Sequence, residues 1–157
     1  MSNNSALINK FYTAFQKLDH QTMNSCYSDD IVFSDPVFGF LLATEVKTMW
    51  EMLCKNARDF SLSFSNISEL DDEYCTCEWI ASYTFSGTGR KVVNKIKAYM
   101  RFSDGKIAEH SDAFSIHKWS KQALGFSGWL LGWNSFFQRS IKNKAKRNLL
   151  NFMKNKL

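Results

Sequence analysis

The stretch Lys91-Val-Val-Asn-Lys-Ile-Lys-Ala-Tyr-Met-Arg-Phe-Ser-Asp-Gly-Lys-Ile-Ala-Glu-His-Ser-Asp-Ala-Phe114 alternates with a period of two. Val92, Asn94, Ile96, Ala98, Met100 and Phe102 fall on one side, and Lys91, Lys95, Lys97, Tyr99 and Arg101 on the other. A strand with one face in the core and one in water has this pattern. Asp104-Gly105 interrupts it with a dipeptide suited to a two-residue hairpin, and Ile107 to His117 reads as the returning strand. Working back along the chain, Trp79, Ala81, Tyr83 and Phe85 share one face of another strand, and Ser86-Gly-Thr-Gly89 closes its hairpin. Phe60, Leu62 and Phe64 alternate with serines in a further strand, followed by the acidic turn Glu69-Leu-Asp-Asp-Glu73.

Before Asp59 the period is helical. Leu7, Ile8, Phe11, Ala14, Phe15 and Leu18 make one stripe, with Ser5 as its predicted N-cap. A short helix follows from about His20 to Tyr27, and Ile31-Val-Phe-Ser-Asp35 is a strand that stops before Pro36. Thr44 is expected to cap a third helix, whose stripe is Val46, Met49, Trp50, Leu53 and Cys54. Helices followed by an antiparallel meander predict an α+β domain, with the helices packed on one face of a curved sheet. Gly125 to Trp133 reads as an apolar, glycine-punctuated connector, and Phe137, Ile141, Ala145, Leu149 and Phe152 then return to helical spacing.

At 157 residues, with 45% apolar and 22% charged side chains, the chain suits one core-forming domain and not a disordered segment. It has no apolar run long enough to span a membrane, and Met1-Ser-Asn-Asn-Ser5 is unlike a secretory signal. Four cysteines without secretory context predict free thiols and a cytoplasmic setting. The net charge of +5 divides unevenly: all 15 acidic residues precede Ala113, and no acid follows it. The basic C-terminal helix has three readings: a lid or brace on the domain, a weak contact with an anionic membrane, or, least favoured, a surface for nucleic acid or an acidic partner. Nucleic acid is not expected as a partner, because the excess charge belongs to the tail alone.

Two strings, Tyr27-Ser-Asp-Asp-Ile-Val-Phe-Ser-Asp-Pro-Val-Phe-Gly39 and Phe102-Ser-Asp-Gly-Lys-Ile-Ala-Glu-His-Ser-Asp-Ala-Phe114, resemble the nuclear transport factor 2-like superfamily. That superfamily includes ketosteroid isomerases, SnoaL-like polyketide cyclases and limonene epoxide hydrolases. The resemblance covers about residues 5–117. It implies a cone-shaped, cystatin-like roll with an apolar cavity at one end, and dimers formed through the outer sheet face. It sets residues 1–117 as the domain and 118–157 as an extension packed on it or acting as a lid.

Carried over by position, the resemblance puts Asp35 where ketosteroid isomerases keep their general base. Their two oxyanion donors fall on Phe11 and Ala98, which donate nothing, and Tyr12 should point about 100° away around the helix. Each lost donor is worth roughly 3–4 kcal/mol of transition-state stabilisation. Asp112 matches one aspartate of the epoxide hydrolases' Asp-Arg-Asp trio, whose other members fall on Trp79 and Ala81.

His110, Asp112 and Phe114 share one strand face by parity, and with the resemblance that face lines the cavity beside Trp79, Tyr83, Asn94 and Met100. Asp35, Asp112 and His110 are thus the candidate catalytic groups, and Trp79, Tyr83, Asn94, Met100 and Phe114 the candidate ligand contacts. The chemistry implied is cofactor-free proton transfer on a hydrophobic small molecule. The alternative is a binding or interaction module without turnover. Asp35 has a plain reading too, since Asp-Pro often starts a turn through the aspartate side chain. Cys75 and Cys77 lack the spacing and partners of a zinc site, so no metal is expected.

Overall fold

Asp104 and Gly105 both have positive φ, 50° and 71°, the pair of conformations that a tight I′ hairpin turn requires. The turn joins β5 (Lys91–Ser103) to β6 (Lys106–Ala113), with Ser103 opposite Lys106. The computed structural model describes residues 2–156. Its other strands are β1 (Tyr27–Asp35), β2 (Gly39–Leu42), β3 (Ser61–Glu69) and β4 (Tyr74–Thr84), in the sheet order β2-β1-β6-β5-β4-β3. The α+β class and the curved, unclosed sheet agree with expectation. One pairing does not: β1 runs parallel to β6, so the sheet is mixed and not wholly antiparallel. Alternation along a strand is blind to the direction of its neighbour, so the sequence pattern carried no sign of this pairing.

Along β5 every second residue from Val92 to Phe102 is buried, as the pattern requires. The sheet's inner face packs on α1 (Asn3–Gln16) at β3 and β4, and on α2 (His20–Ser25) and α3 (Thr44–Asn56) at β1, burying Phe11, Tyr12, Phe15, Met23, Met49 and Trp50. Two caps differ from the sequence reading. Ser2, not Ser5, caps α1, its hydroxyl accepting from the Ser5 N–H. Ala43 precedes α3 with no side-chain cap, and Glu45 instead accepts from the Leu42 N–H.

The returning strand ends at Ala113 and does not reach His117. Ser115 accepts from the Lys118 N–H and starts α4 (Ile116–Leu124). The predicted connector contains a further helix, α5 (Phe126–Leu131), before α6 (Ser135–Lys154). Trp119 and Ala123 of α4 form a second small core with Val92, against which Val37, Tyr83, Phe114 and Ile141 pack. α6 then crosses to α3, burying Leu149 in the main core. No helix among the described residues is long and apolar enough to cross a membrane.

Candidate functional site

β6 turns His110 and Asp112 to the same side, where Met100 and Ala98 of β5 lie opposite them. Their side chains are 0% and 3% exposed. Asp112 Oδ1 lies 3.0 Å from His110 Nε2 and accepts from Trp79 Nε1 at 3.3 Å. On the other side of the ring, His110 Nδ1 lies 2.7 Å from the Tyr27 hydroxyl, which accepts from Trp50 Nε1 at 2.9 Å. Indole N–H can only donate, so Trp50 leaves the Tyr27 O–H free to donate to Nδ1, an arrangement that suits a hydrogen on Nε2 facing Asp112. Asp112 Oδ1 thus has two donors, while Oδ2 has none among the described residues. Phe11, Phe33 and Trp50 enclose the imidazole, with ring centroids 5.3–6.0 Å away.

Tyr12 is also inside. The sequence reading turns it away from the site, but β3 and β4 wrap around α1, so a residue 100° around the helix still faces the interior. Its ring lies against Phe64 and Trp79 at 5.4 and 5.8 Å. Its hydroxyl is buried without a partner among the described residues, a state costing about 1–3 kcal/mol. Burial, and then the charge of Asp112, push this phenol well above its ordinary range.

Asp35 sits apart from that unit, at the end of β1. Its Oδ1 accepts from the backbone N–H of Val37 at 2.9 Å and of Phe38 at 2.5 Å, which is the turn-starting role that Asp-Pro suggests. Burial nevertheless raises its carboxyl to about 7, with Asp112 adding to the rise. The Tyr83 hydroxyl accepts from Trp119 Nε1 at 2.9 Å, and its own raised pKa comes from burial, with a smaller contribution from Asp35.

The eight predicted residues therefore fall into groups. His110, Asp112 and Trp79 are hydrogen-bonded together. Asp35, Tyr83 and Phe114 gather near α4. Met100 and Asn94 are buried on β5. The expected hollow is not seen around His110, where large aromatic side chains from α1, α3 and β1 fill the space. Two open grooves mark the surface, one of about 570 Å³ edged by Asn24, Lys47, Arg101 and Lys106, the other along α6. None of the eight residues lines either groove. Sequence reasoning missed Tyr27, Trp50 and Trp119 as partners, and only Tyr27, within a quoted string, carried a signal. No group of three His, Cys, Asp or Glu among the described residues is placed to hold a metal.

Three solved structures show the same fold. An NTF2-like protein of unknown function from Burkholderia pseudomallei is 17% identical with a TM-score of 0.67, covering 78% of this chain and 98% of its own. A proposed polyketide cyclase from Silicibacter sp. is 16% identical with a TM-score of 0.66, covering 75% and 93%. An LEH-like epoxide hydrolase from M. tuberculosis is 18% identical with a TM-score of 0.63, covering 80% and 91%. The chain thus has the fold of an NTF2-like protein. The family model of the SnoaL-like domain matches residues 8–110, so the chain belongs to that family. No curated protein matches the chain.

Proposed function

We propose that the chain binds a hydrophobic small molecule and moves a proton on it without a cofactor, in an isomerisation or cyclisation. The observation that carries this reading is the Tyr12 hydroxyl, buried without a partner among the described residues and near enough to Asp112 for that carboxylate to help raise its pKa. Asp112 Oδ2 removes a proton from a carbon beside a carbonyl, and the Tyr12 hydroxyl holds the resulting enolate oxygen. Asp112 then returns that proton to a second carbon of the enolate, which restores its carboxylate, and Asp35, its carboxyl raised to about 7 by burial, serves as a second acid at the other end of the ligand. His110 fixes the Asp112 carboxylate. Trp79, Tyr83, Asn94, Met100 and Phe114 make the walls, and the ligand enters by displacing α4 at the Trp119–Tyr83 bond.

The test is turnover of cyclic ketones and polyketide mimics, followed by product formation. Asp112→Asn lowers it at least about 100-fold and Asp35→Asn about tenfold or more, in the range of general acid–base effects. Turnover indifferent to both substitutions overturns the proposal.

A second reading, a carrier without turnover, is favoured by Phe11 and Ala98 standing where isomerases place oxyanion donors. Native mass spectrometry separates the two, since a carrier returns its ligand unchanged. In either case we place the pair contact of a homodimer on the outer sheet face, where Ile80, Val93 and Tyr99 are exposed. A monomer in light scattering at micromolar concentration ends that assignment. The four buried, unpaired thiols suit a reducing, cytoplasmic setting.

A further inference from the structure

The apolar stripe of α6 is already engaged. Leu149 is buried in the main core beside Ala145, Phe152 and Met153, and Ile141 packs on the Trp119 cluster. A membrane contact through the face of the C-terminal helix is therefore closed off. What remains outside is the bend between α5 and α6, where Phe126, Trp129, Leu130, Trp133 and Phe136 are 50–77% exposed. This bend is held in place. The His117 ring stacks on Trp133 at 4.1 Å, its Nε2 lies 3.2 Å from the Trp129 carbonyl, and Gly128 abuts the Ser120 backbone. Exposed Lys118, Lys121, Arg139 and Lys142 lie on the adjoining elements, and no residue from Ala113 to Lys156 is acidic.

We propose that this aromatic bend docks the protein on an anionic lipid bilayer, its rings entering the headgroup boundary while the neighbouring cations meet lipid phosphates. Tryptophan and phenylalanine beside lysine and arginine are the composition that such a boundary favours. A second copy fits less well, because it would bring two acid-free basic segments together. Single-stranded RNA would use the rings for stacking, but it gives no reason for exposed Leu130.

The experiment is co-sedimentation of the full chain with phosphatidylcholine vesicles, with and without phosphatidylglycerol. Binding to the anionic vesicles is expected to be at least about tenfold stronger and to weaken in about 0.5 M salt, as screened attraction does. Replacing Phe126, Trp129, Trp133 and Phe136 by serine should remove at least about nine-tenths of it. A second measurement needs no variant: brominated acyl chains should quench the wild-type tryptophan emission, since Trp50, Trp79 and Trp119 are buried and only Trp129 and Trp133 can reach lipid. Absent binding, equal binding to neutral vesicles, undiminished binding by the serine variant, or no quenching each overturn the proposal. So does binding to RNA, or self-association lost in the same variant, if neither is accompanied by lipid binding.

Discussion

The Tyr27 hydroxyl stands between a donor, Trp50 Nε1, and an acceptor, His110 Nδ1, in a space closed to water. Tyr27→Phe keeps the ring and leaves both nitrogens unpaired, so urea unfolding should show a loss of about 1–3 kcal/mol. Asp35 acts through its proton. Its folded pKa, about 7, lies above the ordinary 3.8, so between these values the folded state holds a proton that the unfolded state has released. Stability is therefore highest below about pH 4 with respect to this group and falls as pH rises towards 7, by at most roughly 4 kcal/mol at 1.36 kcal/mol for each tenfold change in acidity. Asp35→Asn keeps an oxygen for the Val37 and Phe38 N–H groups, removes the charge, and should abolish that fall, leaving the variant more stable than wild type at pH 8 in denaturant titrations. That His110 and Asp112 share a face was readable from parity, and that this face turns inward came from the resemblance. Trp50 as a partner was not readable, because it lies on a helix 60 residues away and only the packing of α3 on the sheet brings it near.

Between elements, close approach matters more than propensity. A Cβ added at Gly128 would meet the Ser120 carbonyl oxygen at 1.9 Å and the Ser120 carbonyl carbon at 2.4 Å, both backbone atoms that cannot swing aside. Gly128→Ala should thus part α5 from α4 and free the Trp129 and Trp133 rings, seen as faster amide exchange confined to residues 116–134. The clamp of the Gln122 amide on both backbone groups of Val93 keeps α4 docked in that variant. The β5–β6 hairpin was legible because alternation, an Asp-Gly turn and charged outer positions all agree. The start of α4 was not read, although Ser115 is a sound cap, since Phe114 and Ile116 with Ser115 between them continue the strand alternation. β2 escaped notice for a related reason: four residues after a proline turn are too few to establish a period.

In the whole molecule, the segment after Ala113 contributes Leu149 of α6 to the main core. Its stripe was readable, but its docking partner was not, since α3 shows only that it has an apolar face and not which helix covers it. Glu51 of α3 is paired with Lys156 and with Lys55, the latter at 2.7 Å. These cations, Lys156 foremost, lower its carboxyl from 4.5 to about 2. The lowered value means that this attachment is complete above the ordinary carboxylate range and is lost as pH falls towards 2. Leu149 is the apolar counterpart, 1% exposed in the core that also holds Trp50 and Trp79. Leu149→Ala should cost about 2–5 kcal/mol, the range for emptying a well-packed site. Aromatic circular dichroism from the sheet interior and helical signal from the extension should then shift to lower urea together, in one transition. An appended tail would instead lose helix early and leave the aromatic midpoint where it was, because nothing in the sheet would depend on Leu149.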